Sequence, residues 1–212
     1  KESWQEKPVE LTDVMKQKFF NVGVTYFDPE IGTTIYGWDN ESVVEMFQGG
    51  MHENVMGLTC TDCHMPKTIA EDGTQYTNHF AAGSPLENAD ALAKCLTCHK
   101  AQGVNTPDEM VSFVRGKQAE LSELQIKTHA DLDELHELLA QATAEGGTDE
   151  AALEAARDAY TDAYFYYVFE RANDSGLDDG AMAAHNFAES VRLLEKADDM
   201  TTEAIRLMKG KD

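Results

Sequence analysis

The chain has 212 residues, with 39 acidic against 17 basic side chains and a formal net charge of -22 at pH 7. That charge repels nucleic-acid phosphates and anionic membrane surfaces, so neither is an expected partner. No run of about 18 apolar residues occurs, so no transmembrane segment is expected within the sequence.

Residues 1–50 form an N-terminal segment of mixed character. Val9 to Phe20 reads as a short amphipathic helix and Val22 to Phe27 as an apolar, β-branched stretch. Asp28-Pro29-Glu30-Ile31-Gly32 reads as a turn. Ser42 to Gln48 then gives a helical turn or two before Gly49-Gly50. The chain opens at Lys1 rather than Met, as expected of a mature product whose signal peptide has been removed.

Residues 51–107 hold the informative chemistry. Cys60-Thr61-Asp62-Cys63-His64 and Cys95-Leu96-Thr97-Cys98-His99 are two copies of Cys-x-x-Cys-His, the pattern of covalent c-type haem attachment. Two thiols three positions apart reach the two vinyl groups of one porphyrin, and the next residue, His64 or His99, lies under the iron as proximal ligand. The two motifs use all four cysteines of the chain. Disulfides, a redox dithiol or a zinc site do not explain why His follows each pair directly. Two c-type haems are therefore the expected cofactors. Between the motifs and around them, Gly57, Pro66, Gly73, Gly83 and Pro85 punctuate a stretch without sustained period, so the region is expected to be loop-like.

Residues 108–212 change abruptly to helix formers. Thr106-Pro107-Asp108-Glu109 supplies a cap, a proline at the first helical position and acids in the first turn. A helix from 108 to about 144 follows, with Leu121, Leu124, Leu132, Leu135, Leu138 and Leu139 at helical spacing. Gly146-Gly147 ends it, and Thr148-Asp149-Glu150 starts a second helix that runs to about Ala172. Asn173-Asp174-Ser175-Gly176 stops that one. Asn186, with Glu189 three positions on, caps a third helix through Met208, so His185 sits immediately before the cap. The expected fold is all-α: an irregular haem-binding segment followed by a bundle of three long helices, of the multihaem cytochrome c type.

Two six-coordinate irons need two distal ligands besides His64 and His99. The remaining histidines are His52, His79, His129, His136 and His185. His52 lies in a glycine-rich loop before the first motif, and His185 at a helix entry. His129 and His136 are spaced along one face of an acidic helix, which reads as a solvent face. Tyr164-Phe165-Tyr166-Tyr167 reads as ordinary helix core.

The run Gly50-Met51-His52, Leu58 to Lys67 around the first motif, Thr77-Asn78-His79, Ser84-Pro85-Leu86 and the second motif resembles the C-terminal half of the ammonia-forming cytochrome c nitrite reductases. The helices with His185-Asn186 ahead of Leu193-Leu194 resemble that family's C-terminal bundle, so the likeness covers roughly residues 50–212. It implies that His185 is distal ligand to the haem on Cys60 and Cys63, and His52 to the haem on Cys95 and Cys98. The family's catalytic haem hangs from a motif ending in lysine, and the chain has no Cys-x-x-Cys-Lys. His79 matches a histidine that ligates a haem bound upstream. Here it is read as a relic or as a ligand to a haem on another copy or a partner subunit.

The expected function is electron relay through two bis-histidine haems. The alternative is an electron-transfer subunit or diverged fragment of a multihaem nitrite or hydroxylamine reductase. With no catalytic residues assigned, the chain by itself is expected not to be an enzyme. Expected partners are redox proteins, basic ones favoured by the charge, and further copies joined into oligomers or filaments through the C-terminal helices or His79. The expected location is periplasmic or extracellular, where haem of this type is attached.

Overall fold

The structure is a computed structural model that describes residues 13, 16–17, 25–36, 46–79, 84–146, 149–172 and 183–210. Most of the helix expected over Val9 to Phe20 and the stop at 173–176 lie outside the described residues.

A hairpin is formed by β1 (Thr25–Asp28) and β2 (Thr33–Tyr36), with Asp28 paired to Thr33 at its closed end. Gly32 turns it at φ 72°, a conformation that costs glycine little. A side chain there would also collide with Arg157, whose Nη2 lies 2.7 Å from the position a Cβ would take.

The attachment region is more regular than its sequence suggested. It contains the short helices α1 (Met51–Asn54) and α2 (Cys60–His64), the hairpin β3 (Lys67–Ile69) and β4 (Gln75–Thr77), and the helix α3 (Ala89–His99). Asn88 starts α3 by accepting from the N–H groups of Asp90 at 2.9 Å and Ala91 at 3.1 Å. Leu92 and Leu96, one turn apart, bury one face of α3 against Val104, Met110 and Val114. The loop-like expectation is thus corrected by a cap and a two-residue apolar stripe, a signal too short to register as a period.

Three long helices follow as expected: α4 (Pro107–Glu145), α5 (Glu150–Ala172) and α6 (Ala183–Met208). The Thr106 cap is reciprocal, with Glu109 N donating to Thr106 Oγ1 at 3.2 Å and Thr106 N to Glu109 Oε2 at 3.1 Å. The expected Asn186 cap of α6 is present, with a further helical turn ahead of it. The helix begins at Ala183 but is broken at Asn186 (φ -160°, ψ 79°), where the Asn186 Oδ1 accepts from Glu189 N at 3.3 Å and caps the continuing segment.

The core lies between the three helices. Leu132, Leu135 and Leu139 of α4 meet Leu153, Ala156, Phe165 and Phe169 of α5 and Leu193 and Ala197 of α6, with Ile31 and Met46 closing one side. Phe165 and Tyr166 are buried, as the core reading of the aromatic cluster required, while Tyr164 and Tyr167 are partly covered at its edge. Polar ties hold β1 and β2 to the bundle: Arg157 Nε donates to Ile31 O at 2.8 Å and Thr161 Oγ1 to Thr34 O at 2.9 Å. The all-α reading holds, with two small hairpins as its only strands among the described residues.

Candidate haem-binding site

Each Cys-x-x-Cys-His motif is helical, so its two thiols, three positions apart, lie on the same face. In α2, Thr59 N donates to the Asp62 carboxylate at 2.9 Å and Thr59 Oγ1 to the same oxygen at 2.8 Å, fixing the start of the motif. Those bonds, together with Lys94, hold the Asp62 carboxyl below its ordinary range despite partial burial. In α3, Cys95, Cys98 and His99 form the last turn.

The two motifs lie against each other. Lys94 Nζ reaches Asp62 Oδ1 at 3.9 Å, and Thr68 Oγ1 donates to Asp90 Oδ2 at 2.6 Å. The Cys63 thiol is pushed up to about 11, chiefly by burial and then by neighbouring Cys95 and Asp62. Burial likewise raises Cys95. None of the four cysteines is in a disulfide.

The histidines fall into two facing pairs. His64 and His185 have ring centroids 6.3 Å apart with planes at 41°, and His52 and His99 have centroids 6.3 Å apart with planes at 58°. Two imidazoles on opposite sides of one metal, with bonds of about 2 Å to each nitrogen, hold their centroids about 6 Å apart. The spacing of both pairs therefore fits a ligated iron.

Three further observations bear on that fit. His52 Nδ1 lies 3.1 Å from the carbonyl oxygen of Ala184, so it can donate there and leave Nε2 for a metal. His99 Nδ1 is buried without a hydrogen-bond partner, as expected of a ring whose surroundings a non-protein group completes. The His185 pKa is lowered to about 4, first by burial and then by His64 and His52, so its imidazole stays neutral near pH 7. Among the described residues no three His, Cys, Asp or Glu side chains converge on a bare metal ion, and the closed donor set of a zinc site is not built.

The remaining histidines lie apart from these pairs. His79 is exposed just beyond β4. His129 is exposed beside Asp133 at 3.2 Å, in keeping with a solvent face. His136 departs from that reading: it is partly covered, packs on Tyr160 with centroids 5.8 Å apart and meets Asp28.

Three contributors escaped the sequence reading. The Ala184 carbonyl is main chain, which no residue pattern marks. Phe113 stands 5.4 Å from the His99 ring, and Phe47 meets the His185 ring edge-on at 6.3 Å. Phe113 follows Met110 by one turn on the predicted helix, an aromatic on an extended apolar face that the sequence could have flagged.

The architecture is that of a multihaem c-type cytochrome. It matches a cytochrome c nitrite reductase from Desulfovibrio desulfuricans with a TM-score of 0.66 at 21% identity, over 84% of this chain and 34% of that one. A model of the cytochrome c552 family matches residues 14–210, and the chain belongs to that family. Family membership implies c-type haem. A cytochrome c nitrite reductase subunit NrfA of Nitratidesulfovibrio vulgaris is 27% identical over 175 residues, covering 79% of this chain and 32% of its own length. A cytochrome c-552 of Haemophilus ducreyi is 34% identical over 92 residues, 43% of this chain and 17% of its own length. The chain thus spans about a third or less of the curated relatives it matches.

Proposed function

We propose that the chain is a dihaem electron-relay unit. Cys60 and Cys63 hold one haem between His64 and His185, and Cys95 and Cys98 hold the other between His99 and His52. The observation that carries this reading is the two pairs of facing imidazoles, with centroids 6.3 Å apart in each pair and one motif histidine in each. Haem when bound supplies a one-electron iron couple. The chain's own part is to occupy both axial positions, which excludes small substrates, and to keep the two sites adjacent through the contacts between α2 and α3.

The relatives favour a second reading of the same chemistry. Their greater length and their description as nitrite reductases suit a relay half that delivers electrons to a catalytic half carried elsewhere, on the same or a separate chain. Exposed His79 would then ligate a haem outside these residues. The location proposed is periplasmic or extracellular; among the described residues no helix is long and apolar enough to cross a membrane. Proposed partners are basic redox proteins and further copies meeting through the long helices.

Low-temperature EPR of the oxidised protein tests the relay. Two low-spin ferric signals are expected. A substantial high-spin component would reveal an open iron and turn the assignment toward substrate binding.

A further inference from the structure

The two histidine pairs are joined at one point. His52, from the pair that includes His99, is hydrogen-bonded to the carbonyl of Ala184, the residue that immediately precedes His185 of the other pair. Asn186 departs from helical φ/ψ one residue after His185, and His52 Nδ1 meets the Ala184 carbonyl just ahead of that break. The ring orientation of one pair therefore depends on the backbone that carries the other.

Gly50 reinforces the junction. It is buried, and a methyl group on it would meet Phe47 O at 3.1 Å, His185 O at 3.2 Å and Asn186 Nδ2 at 3.3 Å. Its φ of -73° and ψ of 165° suit any residue, so glycine is needed here for space and not for conformation. The ring of Phe47, three positions earlier, packs edge-on to His185. The turn carrying His52 and the turn carrying His185 thus meet at two places, Gly50 against the His185 carbonyl and the His52 ring against the Ala184 carbonyl.

We propose that Gly50 and the Ala184 carbonyl form a latch that makes the two haem sites respond together: shifting the seat of His185 reorients His52, and the reverse. The latch rests on the bis-histidine reading. Orientation and hydrogen bonding of an axial imidazole tune the iron it binds, so a change at one site is passed to the other through this contact. Gly50 is a positioning residue for both.

The test is Gly50→Ala in the haem-loaded protein, read by low-temperature EPR and by redox titration of each haem, with Gly116→Ala as control. Gly116 is helical with nothing within 4 Å of the place a Cβ would occupy, so its variant should leave both sites as they are. His185→Gly assigns the signals: the one converted to high-spin belongs to the haem on Cys60 and Cys63. The latch requires Gly50→Ala to shift both low-spin signals and both midpoint potentials. It also requires the other signal to shift in His185→Gly and to stay shifted when added imidazole restores the first haem to low-spin, because free imidazole, unlike the His185 side chain, is not tied to the backbone that holds the Ala184 carbonyl against His52. A response confined to one haem overturns the latch and leaves the ligation standing. Should the unaltered protein lack two low-spin signals, the ligation itself fails and the latch with it.

Discussion

Asp28 Oδ2 and His136 Nε2 lie 3.3 Å apart, joining the first hairpin to the middle of α4 across a long stretch of sequence. Burial opposes the charge on Asp28, but hydrogen bonds from Glu30 N and the His136 ring outweigh it and hold the carboxyl below its ordinary value. A carboxyl depressed in the folded state contributes stability above its unfolded pKa of about 4 and loses it as pH falls through the folded value. Asp28→Asn is expected to lower the melting temperature at pH 7 and to narrow its gap to the unaltered protein as the pH drops below about 4. Melting curves by circular dichroism across pH 3 to 7 measure it. A gap that widens toward low pH would contradict the assignment.

Haem content follows from the motifs. Under the dihaem proposal, Cys63→Ser with Cys60→Ser should reduce covalently bound haem from two per chain to one, and adding Cys95→Ser and Cys98→Ser should abolish it. The pyridine haemochrome assay on denatured protein reads the ratio directly. Retention of two haems after the first pair of changes would exclude these thiols as attachment points.

Leu135 is fully buried between the three long helices. Truncation to alanine removes apolar contact and leaves a cavity, a loss of about 2–5 kcal/mol in unfolding free energy. Urea denaturation of the haem-loaded protein gives the value. Ile126, 69% exposed on the same helix, should tolerate the same change within about 0.5 kcal/mol.

A polar contact crosses the bundle where Gln125 Nε2 donates to buried Glu170 Oε2 at 2.8 Å, while Arg171 Nη1 donates to Gln125 Oε1 at 3.1 Å. Gln125→Leu takes a donor from a carboxylate that water does not reach. The expected cost is about 1–3 kcal/mol, although leucine is the more apolar residue. An equal or higher urea midpoint in Gln125→Leu would show that the contact is dispensable.

Charge predicts behaviour toward a basic redox partner. With a net charge of -22, the bimolecular electron-transfer rate should fall by about tenfold or more as ionic strength rises from low values to above about 0.3 M. Stopped-flow mixing with a small basic cytochrome supplies the measurement. A rate independent of salt would remove steering from the account.

The long helices were legible because their ends are written in local chemistry. Thr106, Pro107 and Glu109 sit where the cap and first turn require them, and Asn186 and Glu189 do the same for α6. The two Cys-x-x-Cys-His motifs stood out because covalent attachment of a porphyrin demands a fixed spacing. What escaped was decided by distant contacts. Nothing near His136 announces Asp28, which comes from a hairpin many turns earlier, so a residue with a polar helical pattern turned out to be partly covered. The helix α3 escaped for another reason: its buried side is only Leu92 and Leu96 wide, and the covering residues come from Val104 onward. His52 and His185 stood out from the other histidines by context, but the Ala184 carbonyl between them belongs to the backbone and has no letter in the sequence.

The separation of 132 positions between His52 and Ala184 bears on how the molecule is assembled. Under the proposed ligation, both motifs lie far ahead of His185 in the chain, and His185 reaches the first of them only when the C-terminal helix folds back. A haem placed on Cys60 and Cys63 would wait, held on one side only, until α6 arrives. Maturation would therefore end with the C-terminal helix, and a chain cut short before it would carry its pigment yet remain spectroscopically unfinished.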